Sequence, residues 1–284
     1  MASTSSTKPV STIRLSDSLI NLPWWLLLLL LVGIFMGYSF YSDETYTEIF
    51  VFLQDGILVT IRVTLTAYVI AISIGLLMGL GRVSKNPIIY NVATLYVQVM
   101  RGVPILVTIL YVAFVIIPPA IGGINVIGST LAGIGLLGED NALATLTVRQ
   151  VDFSARAIIA LALSYGAFSA EIFRAGIESI ERGQMEAARS LGMTYFQAMR
   201  HVILPQAIRR VLPPLGNDFI AMLKESSLVS VLGVRDIAQL SKLYAASSFL
   251  YLQTYTSLGF LYLTMTILLS LGVKAMENRL STDT

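Results

Sequence analysis

Long apolar stretches recur along this chain, and they constrain its fold more than any other feature. A helix that spans a bilayer needs about 20 consecutive, mostly apolar residues, and six stretches approach or exceed that length. Because backbone polar groups cannot stay unpaired in lipid, such stretches form helices. The sequence therefore predicts an all-α integral membrane protein with six transmembrane helices. They are placed at residues 24–41, 56–81, 91–117, 154–176, 205–232 and 250–273.

Composition supports a membrane protein and excludes several chemistries. Of the 284 residues 13% are charged, against roughly 25% in soluble domains. The absence of cysteine excludes disulfides, thiol catalysis and cysteine-bound metals, and the single histidine argues against a histidine metal site. The net charge of +2 gives no sign of nucleic-acid binding. The sequence lacks a Gly-x-x-x-x-Gly-Lys-Ser/Thr loop, so we expect the chain itself to bind neither ATP, nor a metal, nor another cofactor.

Polar segments divide the chain into its predicted parts. Residues 1–22 are rich in Ser and Thr and predict a disordered tail. Residues 23–54 hold the first helix and an acidic connector, residues 55–275 form the main domain, and residues 276–284 form a second tail. A signal peptide is the alternative for the first apolar stretch, but no small-x-small cleavage site follows it.

Basic residues determine the predicted orientation. Cytoplasmic loops are enriched in Lys and Arg, and the basic segments here lie at residues 8–14, 82–85, 182–210 and 274–279. With six crossings these segments all fall on one side of the membrane. Both termini and the 182–210 loop are therefore predicted to be cytoplasmic. Residues 118–153 fall on the other side, and we expect this Gly-rich segment to connect two helices without crossing the membrane itself.

The loop between the fourth and fifth predicted helices is polar, yet its pattern is that of two short helices. Gly192 stands where a helix would end in a left-handed cap. Thr194 and Gln197 have the spacing of a capping box that starts a second helix. The apolar face expected on that second helix is formed by Phe196, Met199 and Ile203. A polar helix–glycine–helix loop held between two membrane helices is typical of a docking element.

Charged residues also occur inside the predicted helices. Arg101 lies ten residues into the third helix, and Asp218 lies well inside the fifth. Glu171 and Arg174 are spaced i,i+3 on one face of the fourth helix. Charges at such depth usually face the bundle interior or a water-filled cavity. Two interpretations remain open, namely structural ion pairs that join the helices, and a polar path for a charged or zwitterionic solute.

An interruption in the third helix favours the solute path. Gly102 and Pro104 follow Arg101, and both residue types disturb the hydrogen bonding of a membrane helix. Interrupted helices at mid-depth recur at transporter substrate sites. The candidate substrate path comprises Arg101, Gly102, Pro104, Glu171 and Asp218.

Several segments together form a recognisable pattern. The loop contains Glu186-Ala187-Ala188, then Gly192, and it ends at Leu204-Pro205. Around it lie the segments Arg101-Gly102-x-Pro104, Ala170-Glu171-Ile172-x-Arg174, Gly183-Gln184-x-Glu186 and Lys224-Glu225-Ser226-Ser227. The loop resembles the Glu-Ala-Ala signature of the membrane subunits of bacterial ABC importers, and the flanks resemble the polar amino acid permeases of that family. The resemblance covers about residues 55–275. It implies a five-helix permease core, to which the first helix is an addition.

The resemblance implies a function and a set of partners. Such permeases form half of a pore that works by alternating access, as dimers with a second copy or a related permease. They couple to two cytoplasmic ATPase subunits, which bind the ATP and Mg, and they receive an amino acid from an extracytoplasmic binding protein. The resemblance thus implies a non-catalytic subunit in the bacterial inner membrane. It assigns the ATPase-coupling helix to the loop, with Gly183, Glu186, Ala187, Ala188, Gly192, Leu204 and Pro205 as its residues.

Two other classes of protein are alternatives. A secondary transporter or channel working without an ATPase would not need the helix–glycine–helix loop. An intramembrane enzyme would use the buried charges as its active site, but the sequence shows no arrangement of nucleophile and base. Among polar amino acids, basic, acidic and amide side chains are all open as substrates.

Overall fold

The computed structural model describes residues 24–282, and the described residues form helices joined by short turns and a single longer connector. The predicted all-α class is confirmed. The chain divides into two compact units, one ending at Thr47 and the other beginning at Glu48. The helices in chain order are α1 (Trp24–Ser42), α2 (Glu44–Arg82), α3 (Pro87–Gly102), α4 (Ile105–Gly133), α5 (Phe153–Glu178), α6 (Arg182–Ser190), α7 (195–225), α8 (Ile237–Ser248) and α9 (Tyr251–Thr282). The predicted tail of residues 1–22 lies outside the described residues, and so do the last two residues of the predicted tail at 276–284.

Four of the described helices are long and apolar enough to cross a bilayer. They are Glu44–Arg82, Ile105–Gly133, Phe153–Glu178 and Tyr251–Arg279. In α1 the apolar segment Leu27–Ser42 is shorter, and α7 carries charged side chains along its length, which lower its apolar character. The membrane class is thereby supported, whereas the count of six crossings stays a prediction.

The helix α2 begins earlier than the sequence predicted. We expected a start at residue 56, after an acidic connector, but the helix begins at Glu44. Asp43 explains the difference, because its Oδ1 accepts a hydrogen bond from the backbone N–H of Thr45 at 2.9 Å. Acidic residues stabilise a helix N-terminus by capping it and by opposing its dipole.

The predicted third helix is interrupted where Gly102 and Pro104 indicated. α3 ends at Gly102, and Val103 has an extended backbone with φ −101° and ψ 134°. The helix resumes as α4 at Ile105. The interruption predicted beside Arg101 is therefore confirmed.

The end predicted for this helix at residue 117 is wrong. α4 continues through Pro118 and Pro119 to Gly133, although prolines usually end a helix because they lack an N–H. A π turn over Val112–Ile116 comes just before them, and the Ile117 N–H bonds to the Val112 carbonyl. The Ala113 carbonyl of this turn accepts a hydrogen bond from the Arg156 guanidinium at 3.1 Å, so it does not depend on a backbone N–H that the prolines lack.

The remaining residues of the predicted connector, 134–152, are held against α4 and α5 by hydrogen bonds. Asn125 and Asn141 donate side-chain hydrogen bonds to the carbonyls of Leu146 at 3.0 Å and Gly128 at 3.1 Å. Arg156 is buried, and its guanidinium lies 4.9 Å from the centre of the ring of Phe153. It donates to the carbonyls of Ala113 in the π turn at 3.1 Å, Val148 at 2.6 Å and Val151 at 2.9 Å. The connector is thus an ordered part of the fold, held by side-chain hydrogen bonds.

The segment after α7 also differs from the prediction. We expected one helix over residues 205–232, but α7 ends at Glu225 and a tighter 3₁₀ helix follows over Ser226–Leu232. Gly233 then turns the chain in a left-handed conformation at φ 78°. The helix α8, which the sequence analysis missed, begins beyond Asp236, whose carboxylate accepts from the Gln239 N–H at 2.8 Å.

Small residues bring α2 close to α5. A Cβ added at Gly75 would lie 2.6 Å from the Ser169 Cβ, and one added at Gly79 would lie 2.9 Å from the Ala170 carbonyl. Glycine is required at both positions because any side chain would force the helices apart. The close contact positions the polar residues of α5 described below.

Candidate functional site

The helix–glycine–helix loop has the turn that its sequence predicted. Gly192 lies just past the end of α6 with φ +83°. Its N–H bonds to the Arg189 carbonyl at 3.0 Å, and the Met193 N–H bonds to the Ala188 carbonyl at 3.2 Å. These two bonds form a Schellman motif, which satisfies carbonyls that the helix end leaves unpaired. The left-handed cap is confirmed.

A capping box starts the second helix of the loop. The Thr194 hydroxyl accepts from the Gln197 N–H at 3.3 Å, and the Gln197 side chain accepts from the Thr194 N–H at 2.9 Å. Both bonds form within four residues, which is why the local pattern was sufficient to predict them. The loop is therefore held by side-chain and backbone bonds on both sides of Gly192.

The loop packs on its own chain through a small apolar cluster. Its fully buried members are Ile180, Ile203 and Ala207, and Met185, Met199 and Val202 pack against them. The predicted face is correct for Met199 and Ile203 but wrong for Phe196, whose exposed fraction is 71%. The cluster gathers where α6 meets the π turn over Met199–Ile203, one turn beyond Phe196.

Most of the residues assigned to ATPase coupling lie on the surface of the loop. The exposed ones are Gly183, Glu186, Ala187, Gly192, Leu204 and Pro205. Ala188 is different, because its exposed fraction is only 4% and its side chain packs inside the protein. The sequence pattern did not separate Ala188 from Ala187, since both are small and neighbouring.

Glu171 is the centre of an ion cluster that reaches the ends of α2 and α3. Its Oε1 accepts from Arg174, as the i,i+3 spacing predicted, and its Oε2 accepts from Arg82. Arg101 is a third cation, with its Nη1 3.7 Å from the same Oε2. Arg174 bonds to Glu178 as well. Glu171 thus joins α2, α3 and α5, and its two oxygens are already occupied.

Arg101 is the least constrained cation of this cluster. It lies at the end of α3, directly before the interruption, and its side chain is 43% exposed. Its guanidinium lies 5.7 Å from the centre of the Phe168 ring, a distance at which a cation is attracted to an aromatic face. Arg101 is therefore held loosely and can accept a further anionic partner.

Asp218 belongs to a separate polar group. It accepts a hydrogen bond from the Ser169 hydroxyl at 3.1 Å, and Glu225 accepts one from the Tyr165 hydroxyl at 3.0 Å. The two carboxylates are seven residues apart on α7, so they share one helix face. The ion pairs found among residues 24–282 include neither of them. The candidate path thus separates into a mainly cationic group around Glu171 and an acidic group on α7.

A cavity of about 380 Å³ lies between α5 and α7 on the side of the helix–glycine–helix loop. Glu171 and Arg210 contribute its charged lining, and Gly176 and Pro214 are among its other lining residues. Arg210 also donates to the carbonyl of Ser179 at the end of α5. Space and both signs of charge are therefore present beside the ion cluster.

Comparisons with known proteins identify the family. Residues 71–282 match the family described as binding-protein-dependent transport system inner membrane component. The chain is 35% identical over 229 residues to the probable amino-acid permease protein YxeN of Bacillus subtilis strain 168, a match that covers 81% of this chain and 91% of that protein. It is 29% identical over 228 residues to the glutamine transport system permease protein GlnP of Escherichia coli strain K12, covering 80% and 92% of the two chains.

Solved structures agree with this family. The chain superposes on a crystal structure of an amino acid ABC transporter with histidines at a TM-score of 0.66 and 34% identity, covering 84% of this chain and 98% of that one. An inward-facing MetNI methionine ABC transporter matches at a TM-score of 0.62 and 18% identity, covering 84% and 99%, and supports the fold alone. The chain belongs to the family of inner membrane components of binding-protein-dependent transport systems. It is an ABC importer permease, a non-catalytic subunit that crosses the membrane several times, and the comparisons support this class over the secondary transporter or channel considered above.

Proposed function

We propose that this chain forms half of the pore of an importer for polar amino acids, and that its helix–glycine–helix loop couples the pore to an ATPase. The loop is the observation that carries the coupling role. It joins α5 to α7, the two helices that bear Glu171 and Asp218, and it is exposed and held in one shape on both sides of Gly192. A surface fixed before binding loses little entropy when a partner docks.

The substrate class is inferred from the relatives. Two proteins at 34–35% identity are named as an amino-acid permease and an amino acid ABC transporter, and another relative is named for glutamine. A free amino acid carries one carboxylate and one ammonium group at neutral pH. Its path through the membrane therefore needs at least one cation and one anion, and the described bundle contains both.

The proposed partners follow from the family and from charge. The complex contains two ATP-binding subunits, one of which docks on the helix–glycine–helix loop of this chain, and a second permease copy or a related permease completes the pore and binds the other. A solute-binding protein delivers the amino acid on the opposite side of the membrane. The enrichment of Lys and Arg in the loops at residues 82–85 and 182–210 supports a cytoplasmic location for both, with both chain termini on that side.

Within the candidate path we assign different roles to the charged residues. Arg101, the loosely held cation beside the interrupted helix, receives the substrate carboxylate. Asp218, which has only a hydroxyl partner among the described contacts, receives the ammonium group. Glu171 has both oxygens occupied by arginines, so its role is to hold α2, α3 and α5 together.

Co-purification tests the proposed function. The full-length chain, solubilised with its neighbouring gene products, should retain an ATP-binding subunit and a second permease. The binding protein of the same system, screened against the common amino acids, should bind a polar one. Recovery of active uptake by this chain alone, without an ATPase, would contradict the proposal.

Two substitutions separate the roles of Arg101 and Glu171. Arg101→Gln should raise the KM for uptake by about 10- to 100-fold, the loss expected for one charged hydrogen bond, and lower thermal stability less than Glu171→Gln does, because its contact with Glu171 is the longest of the three, at 3.7 Å. Glu171→Gln should lower thermal stability and reduce uptake of cationic and neutral amino acids alike. A selective loss of cationic uptake in Glu171→Gln would instead place Glu171 at the substrate.

A further inference from the structure

Three large apolar side chains lie exposed around Gly192, and nothing in the described chain covers them. Leu191, Tyr195 and Phe196 have exposed fractions of 81%, 60% and 71%. We refer to these three residues as the apolar rim of the loop. Many other exposed apolar side chains of this protein lie on helices long enough to cross the bilayer, where lipid covers them. The apolar rim belongs instead to a polar loop.

Tyr195 and Phe196 of the apolar rim lie at the start of α7, beyond the reach of lipid. Arg210 of α7 donates to the Ser179 carbonyl, so these residues mark the level at which α5 ends. Phe196 precedes Arg210 by fourteen residues of continuous helix, which corresponds to about 21 Å along the axis. The headgroup layer on one side of a bilayer is only about 5–8 Å thick. Lipid tails therefore do not cover Phe196.

The backbone that carries the apolar rim is held by hydrogen bonds. Leu191 and Gly192 belong to the Schellman turn, and Tyr195 follows directly after the capping box residue Thr194. Exposed apolar side chains held in one arrangement on a soluble surface mark a protein contact. A protein pocket binds a fixed arrangement more tightly, because less entropy is lost on binding. A fluid surface such as lipid gains no affinity from it.

The charged residues around the apolar rim are mainly basic. Arg189 and Arg200 are exposed close to the rim in the sequence, and Glu186 is the nearest exposed acidic residue. A protein partner that fits this surface has an apolar pocket with acidic residues at its edge. Ala188, part of the Glu-Ala-Ala signature, is buried and so unavailable to this partner.

We infer that the apolar rim is the main anchor for the ATP-binding subunit, and that Glu186 and Ala187 lie at the edge of that contact. This inference rests on the proposed coupling function, and it specifies which residues of the loop contribute most of the binding energy for the ATP-binding subunit. Buried aromatic residues at the centre of an interface usually contribute most of the affinity, while the surrounding contacts contribute little. Tyr195 and Phe196 are the aromatic residues of this surface.

Binding measurements with matched variants test the anchor. The full-length chain is reconstituted in nanodiscs of phosphatidylcholine and phosphatidylglycerol and titrated with the purified ATP-binding subunit of the same system. Tyr195→Ser and Phe196→Ser should each raise the Kd by roughly tenfold or more. Ile88→Ser is the control, because Ile88 is 73% exposed at the start of α3 and outside the loop. It should leave the Kd unchanged, and all three variants should keep the thermal stability of the parent chain.

The outcomes separate the anchor from the proposed function. Wild-type binding with equal Kd values for the parent, Tyr195→Ser and Phe196→Ser would overturn the anchor and leave the coupling function intact. Failure of the wild-type chain to bind the ATP-binding subunit would overturn both.

A fluorescent reporter distinguishes the ATPase from lipid as the occupant. The chain has two tryptophans, Trp24 and Trp25, so Phe196→Trp in a W24F/W25F background gives a single reporter. Its emission should shift to the blue when the ATP-binding subunit is added. Quenching by brominated lipid in the absence of that subunit would show that the surface lies in the membrane and would overturn the anchor.

Discussion

Gly192 allows a graded test of whether the shape of the loop matters for coupling. Its φ of +83° lies in the left-handed region, and a Cβ added there would meet no atom within 4 Å. A substitution is therefore opposed by backbone conformation alone and not by a clash. This makes the ranking of substitutions predictable, with asparagine tolerated best, alanine less well and valine least.

The expected change in the Kd for the ATP-binding subunit follows from the free-energy cost of the left-handed conformation. For an L-residue that cost is roughly 1–2 kcal/mol, which corresponds to a factor of about 5–30 between competing conformations. A partner that requires the native turn then binds more weakly by up to the same factor, because fewer loops are competent. We expect Gly192→Ala to raise the Kd for the ATP-binding subunit by about fivefold, and Gly192→Val by more.

Gly233 provides the matched control. It has the same left-handed conformation, with φ +78°, and likewise has no atom within 4 Å of an added Cβ. Gly233→Ala should therefore lower thermal stability by a similar amount while leaving the Kd for the ATP-binding subunit unchanged. Titration in nanodiscs measures the Kd of each variant, and thermal denaturation measures its stability. Equal binding by the asparagine and valine variants of Gly192, or a weaker Kd in Gly233→Ala, would refute the backbone argument.

Three further substitutions test the packing. Arg156→Met should lower the free energy of unfolding by about 3 kcal/mol, measured by denaturation in detergent, because three carbonyls lose a charged donor; an unchanged stability would show that water replaces it. Gly56→Ala should cost about 1–3 kcal/mol in the same assay, since its Cβ would lie 2.7 Å from the Ile237 nitrogen, whereas Gly259→Ala, with open space, should cost nothing. Phe249→Gly should raise the melting midpoint by about 2–4 °C, because Phe249 is strained at φ 60°, and a lower midpoint would mean that its ring is needed for packing.

The sequence predicted best the features that depend on a few neighbouring residues. The turn at Gly192 and the capping box of Thr194 and Gln197 are built from bonds spanning at most five residues. The interruption after Gly102 follows from proline chemistry in the same way. Such bonds form whatever the remainder of the chain does, so a local pattern was sufficient.

Contacts between distant segments were not predictable in this way. Arg82 was assigned to a basic loop, yet it bonds to Glu171, 89 residues further along the chain. Which charges meet depends on how helices pack, and no local pattern contains that information. The continuation of α4 through Pro118 has a related cause, because it depends on a π turn whose Ala113 carbonyl is satisfied by the distant Arg156.

The contacts of α5 and α7 indicate how movement of the loop reaches the charged residues. At the loop end the helices are in close contact, since a Cβ added at Gly176 would lie 2.1 Å from the Val211 Cγ1. Further along, Ser169 of α5 donates to Asp218 of α7, and a Cβ added at Gly75 of α2 would lie 2.6 Å from the Ser169 Cβ. Packed interfaces of this density transmit displacement and do not absorb it. A force applied at the loop would therefore move α5, α7 and the charged residues they carry together, as the proposed coupling of ATP hydrolysis to transport requires.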